Sequence, residues 1–234
     1  RGGQGCVYEG FDAALQRRVA LKIPRFAHGT ANDDLTFEAR ALAPIQLASV
    51  GEHVEDLALQ AEVLLAAGGC GAIIVNTVDR AQQLYRRLRA GLPPDVPMVL
   101  FHARFPADER LVHEQRVLQF FGPDGERPQR ALMVATQVAE QSLDIDFDFM
   151  LSDLAPIDLL LQRAGRLHRH QRVRQDEHRQ ARLWVAGLSP ADPKELRQVF
   201  KKTAWSFVYD AYILGRTWAL LQQEPVLKLP EDID

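Results

Sequence analysis

The chain has 234 residues, 47% of them hydrophobic and 25% charged, with a formal net charge of −3. That composition is ordinary for a globular protein and holds one large domain or two small ones. Two cysteines, Cys6 and Cys70, build no disulfide framework, and the most apolar stretch, Leu57 to Val75, is broken by Gln60, Glu62 and glycines, so neither a cysteine-stapled fold nor a membrane span fits.

No secretory signal and no initiator Met open the sequence, so a reducing, cytoplasmic location is expected and Arg1 reads as the middle of a longer chain. Gly2 to Tyr8 and Arg18 to Ile23 read as two alternating β-like runs, with a turn near Asp12 to Gln16. Phe37 to Leu42 reads as a helix. Residues 46–70 read as a linker running into a helix, Val54 to Ala67, which Gly68 to Gly71 break. Ala72 to Val75 is a short strand; Asn76 and Thr77 follow as cap residues, and Arg80 to Leu92 has helical periodicity through Ala81, Leu84, Tyr85 and Leu88. Strand, polar turn, helix is the repeating unit of a parallel α/β sheet.

The pattern repeats downstream. Met98 to Phe101 is a strand ending at His102-Ala103-Arg104-Phe105, and Pro106 suits the first turn of a helix running to Phe121. Arg130 to Ala135 returns to the sheet and ends at Thr136 and Gln137; Phe149 to Leu151 is its neighbour. A helix over Leu159 to Gly165 leads into Arg163, Arg166 and Arg169, three apart and so on neighbouring turns. Ala181 to Ala186 is a last strand, and Lys194 to Lys202 and Ala204 to Leu221 are amphipathic helices whose aromatics are expected mostly in the core. Glu140 to Asp158 carries carboxylates and no Lys or Arg, whereas Arg163 to Arg182 is mostly basic. A basic run is usually a solvated face. Guanidinium groups stay charged and fork onto phosphate oxygens, so three of them beside a glycine point to an anionic ligand.

Gln162-Arg163-Ala164-Gly165-Arg166-Leu167-His168-Arg169 resembles motif VI of superfamily-two helicases, and Thr136 with Ser142-Leu143-Asp144-Ile145 resembles their motif V. The wording from Val134 to Asp148 is closer still to the CRISPR-associated helicase–nuclease of type I systems, and the resemblance covers about residues 46 to 234. It implies an α/β fold: a parallel-sheet, RecA-like helicase C-terminal domain over 46–190, with a helical extension over 191–234. It also implies roles. Arg166 and Arg169 would be arginine fingers. Gln162, Arg163, Gly165 and Asp144 would shape the ATP cleft, and Thr77, Arg104, Thr136 and Gln137 would touch single-stranded DNA. ATP with Mg would be the cofactor, no metal site of the chain's own is expected, and an RNA-guided surveillance complex is a partner.

Residues 1–45 resemble the first part of a protein-kinase N-lobe, a β-hairpin plus helix, which would place ATP contacts on Gly2, Gly5, Val7 and Lys22, with Glu38 holding the lysine. No His-Arg-Asp catalytic loop follows, and Asp146-Phe147-Asp148 reads as a chance likeness to Asp-Phe-Gly. Nor does the sequence hold a Gly-x-x-x-x-Gly-Lys-Ser/Thr loop, an Asp-Glu-x-His/Asp box or an adjacent His-Asp pair. The expectation is therefore a second motor domain only, inactive without its first. The alternatives are a kinase-related nucleotide binder and a non-catalytic nucleic-acid-binding module. The junction near residue 45 reads as a natural fusion or, preferred, an assembly or gene-calling artefact.

Overall fold

The computed structural model describes residues 5–12, 17–24, 44–140, 143–223 and 225–227. The chain forms two compact units, Arg1–Ala39 and Arg40–Asp234.

In the first unit, β1 (Gly5–Asp12) and β2 (Arg17–Pro24) pair antiparallel, with Val7 opposite Lys22. This is the expected hairpin. Gly2, Glu38 and the expected helix at Phe37 to Leu42 lie outside the described residues.

The second unit is built on β3 (Ile45–Val50), β4 (Gly69–Ile74), β5 (Met98–Phe101), β6 (Arg130–Ala135), β7 (Phe149–Asp153), β8 (Arg182–Ala186) and the short β9 (Val226–Leu227). Their order across the sheet is β5-β6-β4-β7-β8-β3-β9. Every pairing is parallel except β9 on β3. Strands with both faces covered read as unbroken apolar runs rather than alternating ones; β4 and β7 are buried at every position. Helices α1 (Val54–Ala66), α2 (Val78–Gly91), α3 (Ala107–Phe121) and α4 (Ile157–Ala164) connect the strands. Two more, α5 (Pro193–Thr203) and α6 (Ala211–Gln223), follow β8.

One glycine inside the sheet is required by close approach. A Cβ on Gly71 of β4 would lie 2.1 Å from Cε2 of Phe149, its partner on β7.

Three expectations change. Residues 45–50 are not a linker but a strand between β8 and β9; Gln46 and Ser49 tolerate it because this part of the sheet is only partly covered. The helix carrying Arg163 stops at Ala164, so Arg166 and Arg169 do not share its turns; Leu167 is drawn instead into a bridge with Phe147. The last helix begins at Ala211, not Ala204, because Ala204 turns left-handed (φ 57°) and Asp210 caps the new start through the Tyr212 N–H at 2.8 Å.

Candidate functional site

In an open parallel sheet, polar groups gather beyond the C-terminal ends of the strands. Here β4 ends at Asn76 and Thr77, β5 at His102, β6 at Thr136 and Gln137, and β7 at Asp153. Thr77 caps α2 by accepting from the Arg80 N–H at 3.3 Å. Gln137 Nε2 donates to the Asn76 carbonyl at 2.9 Å, tying two strand ends together. Thr136 is buried, Gln137 and Thr77 are half-buried, and Arg104 is exposed. His102 is buried and stacks on Phe105 at 4.1 Å, and Phe105 meets His113 at 4.2 Å. Burial, with neighbouring cations, holds both imidazoles below their ordinary pKa.

The rim has a hub that the sequence reading missed. Asp153 is fully buried. It accepts from the Asn76 N–H at 2.9 Å, from Arg80 Nε at 3.0 Å and from Trp205 Nε1 at 3.0 Å. Arg80 also donates to the Glu52 carbonyl at 2.6 Å. Arg163, fully buried as well, donates to Ser152 Oγ at 2.8 Å and to the Asp153 carbonyl at 3.2 Å. The signal was a polar Ser-Asp pair closing an otherwise apolar strand.

The arginine pair lies elsewhere. The Phe147 N–H donates to the Arg166 carbonyl at 2.9 Å, and the His168 N–H to the Phe147 carbonyl at 3.1 Å, so this segment runs beside the beginning of β7. Eight residues of α4 separate it from Pro156 at the rim, about 12 Å along the helix axis. The strand-end residues and the arginine pair therefore lie apart in the fold. Arg104, Thr136, Gln137 and Thr77 stay at the rim, whereas Arg166, Arg169 and Asp144 form a separate cluster on the flank. There, Arg169 Nε donates to Asp144 Oδ1 at 2.7 Å, His170 Nε2 lies 3.1 Å from the same oxygen, and Arg166 donates to the Leu143 carbonyl. Burial and the nearby Arg169 hold the Arg166 guanidinium below its ordinary pKa, with Asp144 acting in the opposite sense. Arg169 and Asp144 are 43% and 51% exposed, so the cluster reaches solvent. Gln162 is exposed on α4 and Gly165 ends that helix with an ordinary helical φ of −63°.

Two buried carboxylates fix the arginine segment. Asp146 accepts from Arg174 Nη2 at 2.9 Å and pairs with Arg172 at 3.1 Å; Asp148 accepts from Arg127 at 2.8 Å, from the Cys70 N–H at 2.6 Å and from Arg174. Burial alone would raise Asp148, but Arg127, the Cys70 N–H and Arg174 outweigh it and hold its carboxyl below the usual range. Cys70 itself is pushed up to about 12 by burial, which marks a structural thiol. Asp146-Phe147-Asp148 is thus an internal brace of this fold. Among the described residues no cluster of His, Cys, Asp and Glu is arranged to hold a metal ion, and no helix is long and apolar enough to cross a membrane.

Residues 67–172 match the family described as CRISPR-associated nuclease/helicase Cas3, C-terminal. The chain is 41% identical over 242 residues to a CRISPR-associated endonuclease/helicase Cas3 of Thermus thermophilus, covering 84% of this chain and 25% of that one. Its fold is similar to the crystal structure of T. fusca Cas3-ATP, with a TM-score of 0.70, 31% identity, and 97% of this chain and 26% of that one covered. It is also similar to a chain of a CRISPR RNA-guided surveillance complex, pre-nicking, with a TM-score of 0.65, 29% identity, and 95% and 27% covered. The chain therefore spans about a quarter of the length of these proteins.

Proposed function

Through residues 67–172 the chain belongs to the Cas3-like C-terminal family, and from that premise we propose that it is the second motor domain of an ATP-driven DNA translocase of CRISPR defence. The observation that carries this reading is the flank cluster. There the exposed Arg169 bonds Asp144 at 2.7 Å, and Arg166, half-buried, donates to the carbonyl of the adjoining Leu143. Guanidinium groups placed together in this way can fork onto the oxygens of a triphosphate.

In this reading Arg166 and Arg169 stabilise charge on a phosphoryl group held by a first motor domain, a contribution on the order of 10³–10⁵ in rate. ATP would supply the driving energy when bound, and its magnesium would be held mainly by the first motor domain. Asp144 orients Arg169 and stands near the nucleotide sugar. Gln162 and Gly165 border the cleft from the end of α4. Arg163 acts at one remove, by fixing α4 to the end of β7 through Ser152 and the Asp153 carbonyl. At the rim, Thr77, Arg104, Thr136 and Gln137 contact single-stranded DNA without reading its sequence, the salt-sensitive mode expected of backbone contacts. The T. fusca relative with ATP supports nucleotide binding, and the surveillance-complex relative supports that class of partner.

The test is reconstitution. Joined to a first motor domain, the chain should give DNA-stimulated ATP hydrolysis, and Arg166→Ala should lower turnover at least ~10³-fold with little change in DNA affinity. The isolated chain should hydrolyse no ATP. Full turnover in the Arg166→Ala form, or hydrolysis by the highly purified chain alone, would overturn the assignment.

A further inference from the structure

The helices after the sheet leave a groove that the motor reading does not use. It lies between α5 and α6 and has a volume of about 520 Å³. Leu196, Phe200 and Trp218 give it an apolar wall, Arg197 and Arg216 are its cations, and among the described residues no carboxylate lines it. Its lining includes Gly215, where a Cβ would meet nothing within 4 Å.

Charge around the groove is unbalanced. Lys194, Arg197 and Lys201 are exposed and recur at the spacing of one helix face. The carboxylates of the first turn of α5 are already used: Asp192 caps the Lys194 and Glu195 N–H groups, and Glu195 accepts from the Ala191 N–H. Elsewhere in the unit Arg80, Arg87, Arg127 and Arg174 sit on carboxylates. Among the described residues Lys194, Arg197, Lys201 and Arg216 do not. Beside them Tyr212 is 71% exposed, with the Arg216 guanidinium 5.9 Å from its ring centroid and bonded to its hydroxyl at 3.4 Å.

A merely solvated basic face needs neither a groove nor an exposed ring. An acidic peptide would use the cations but has no particular use for a flat aromatic surface. Single-stranded nucleic acid uses all three, through phosphates on the cations and bases on the rings. We propose that the α5–α6 groove binds single-stranded nucleic acid: phosphates along Lys194, Arg197, Lys201 and Arg216, and a base against Tyr212 above Gly215. This site is distinct from the strand-end rim and does not depend on the motor reading.

The experiment follows the indole N–H signals of the ¹⁵N-labelled chain as a fifteen-residue oligothymidylate is added. Trp218 lines the groove, and its Nε1 has no partner among the described residues; Trp205 Nε1, bonded to Asp153, is the internal control. The expected result is a saturating shift of the Trp218 signal, with Trp205 still. Gly215→Leu fills the open space while improving helix propensity, so it keeps the fold and should abolish that shift. Tyr212→Ala should weaken binding ~10-fold. Arg197→Ala with Arg216→Ala should make the slope of log affinity against log salt shallower by ~1.4, since each single-strand phosphate contributes ~0.7. An unmoved Trp218 signal, whether or not the oligonucleotide binds elsewhere, overturns the proposal, and so does wild-type binding by Gly215→Leu.

Discussion

Replacing Asp153 by Asn tests the hub of the rim. The substitution keeps the shape of the side chain and removes its charge. In the native protein that charge is met by Arg80, whose side chain is 11% exposed, by the Trp205 indole and by the Asn76 N–H. Removing one member of a buried ion pair costs about 3–5 kcal/mol, because the remaining charge loses its partner. Two features place this case at the low end. Arg80 keeps its bond to the Glu52 carbonyl, and an Asn oxygen can still accept from Trp205 or from Asn76. The expected loss is about 3 kcal/mol, a large part of the ~5–15 kcal/mol typical of a domain. Urea unfolding followed by far-UV circular dichroism measures it. Removing the stranded cation as well, in Asp153→Asn with Arg80→Met, should recover ~1 kcal/mol or more, since a neutralised pair leaves no buried charge behind. A single-variant loss under ~1 kcal/mol, or a double variant no better than the single, would refute the reasoning.

Gly71→Ala should destabilise by ~1–3 kcal/mol, because the added methyl meets the Phe149 ring at 2.1 Å and that ring, 5.1 Å from the His178 ring, has little room to retreat; an unchanged urea midpoint would contradict this. Stability should fall on acidification in two stages. His102, His113 and His168 have folded pKa values lowered by burial, so their contribution is complete above the unfolded value of ~6.5 and is lost as pH falls from there through the folded values. Asp148, also depressed, adds a second loss below the ordinary carboxylate value of ~3.9. Urea midpoints measured from pH 8 to pH 3 check both stages, and a midpoint that rises between pH 7 and pH 5 would count against the first.

The strands were the easiest elements to read from the chain, for a physical reason. A parallel sheet covered on both sides demands unbroken apolar runs, and Met98 to Phe101 and Arg130 to Ala135 are bounded by polar residues as predicted. Ile45 to Val50 escaped notice because a strand near the sheet edge carries Gln and Ser among its apolar residues. The strand-end positions of Thr77, Arg104, Thr136 and Gln137 were legible because strand ends are local. The Asp153 hub was not, because its partners Arg80 and Trp205 lie 73 and 52 residues away in sequence. Nor could spacing reveal that Arg166 and Arg169 leave the helix. That depends on a backbone bridge between Phe147 and Leu167 and on His168 taking a positive φ of 50°.

The basic run from Arg163 to Arg182 is not one phosphate-binding patch, because the fold divides its charge. Arg172 and Arg174, with Arg127, meet the buried Asp146 and Asp148; Arg179 pairs with Asp176; and Arg163 is buried against Ser152. Arg182 lies over the Trp184 ring, and the exposed Arg169 bonds Asp144 beside the half-buried Arg166. Asp144→Asn should therefore raise the affinity of the chain for inorganic tripolyphosphate, by removing a competing anion from an exposed pair. Such pairs contribute ~0.2–1 kcal/mol, so the gain is ~1.5–5-fold at low salt and smaller as salt screens the site. If Asp144 also stands near the nucleotide sugar, ATP should gain less than tripolyphosphate does. Titration calorimetry with both ligands separates the two effects. Unchanged or weaker tripolyphosphate binding by Asp144→Asn would mean that Arg166 and Arg169 are not the anion site.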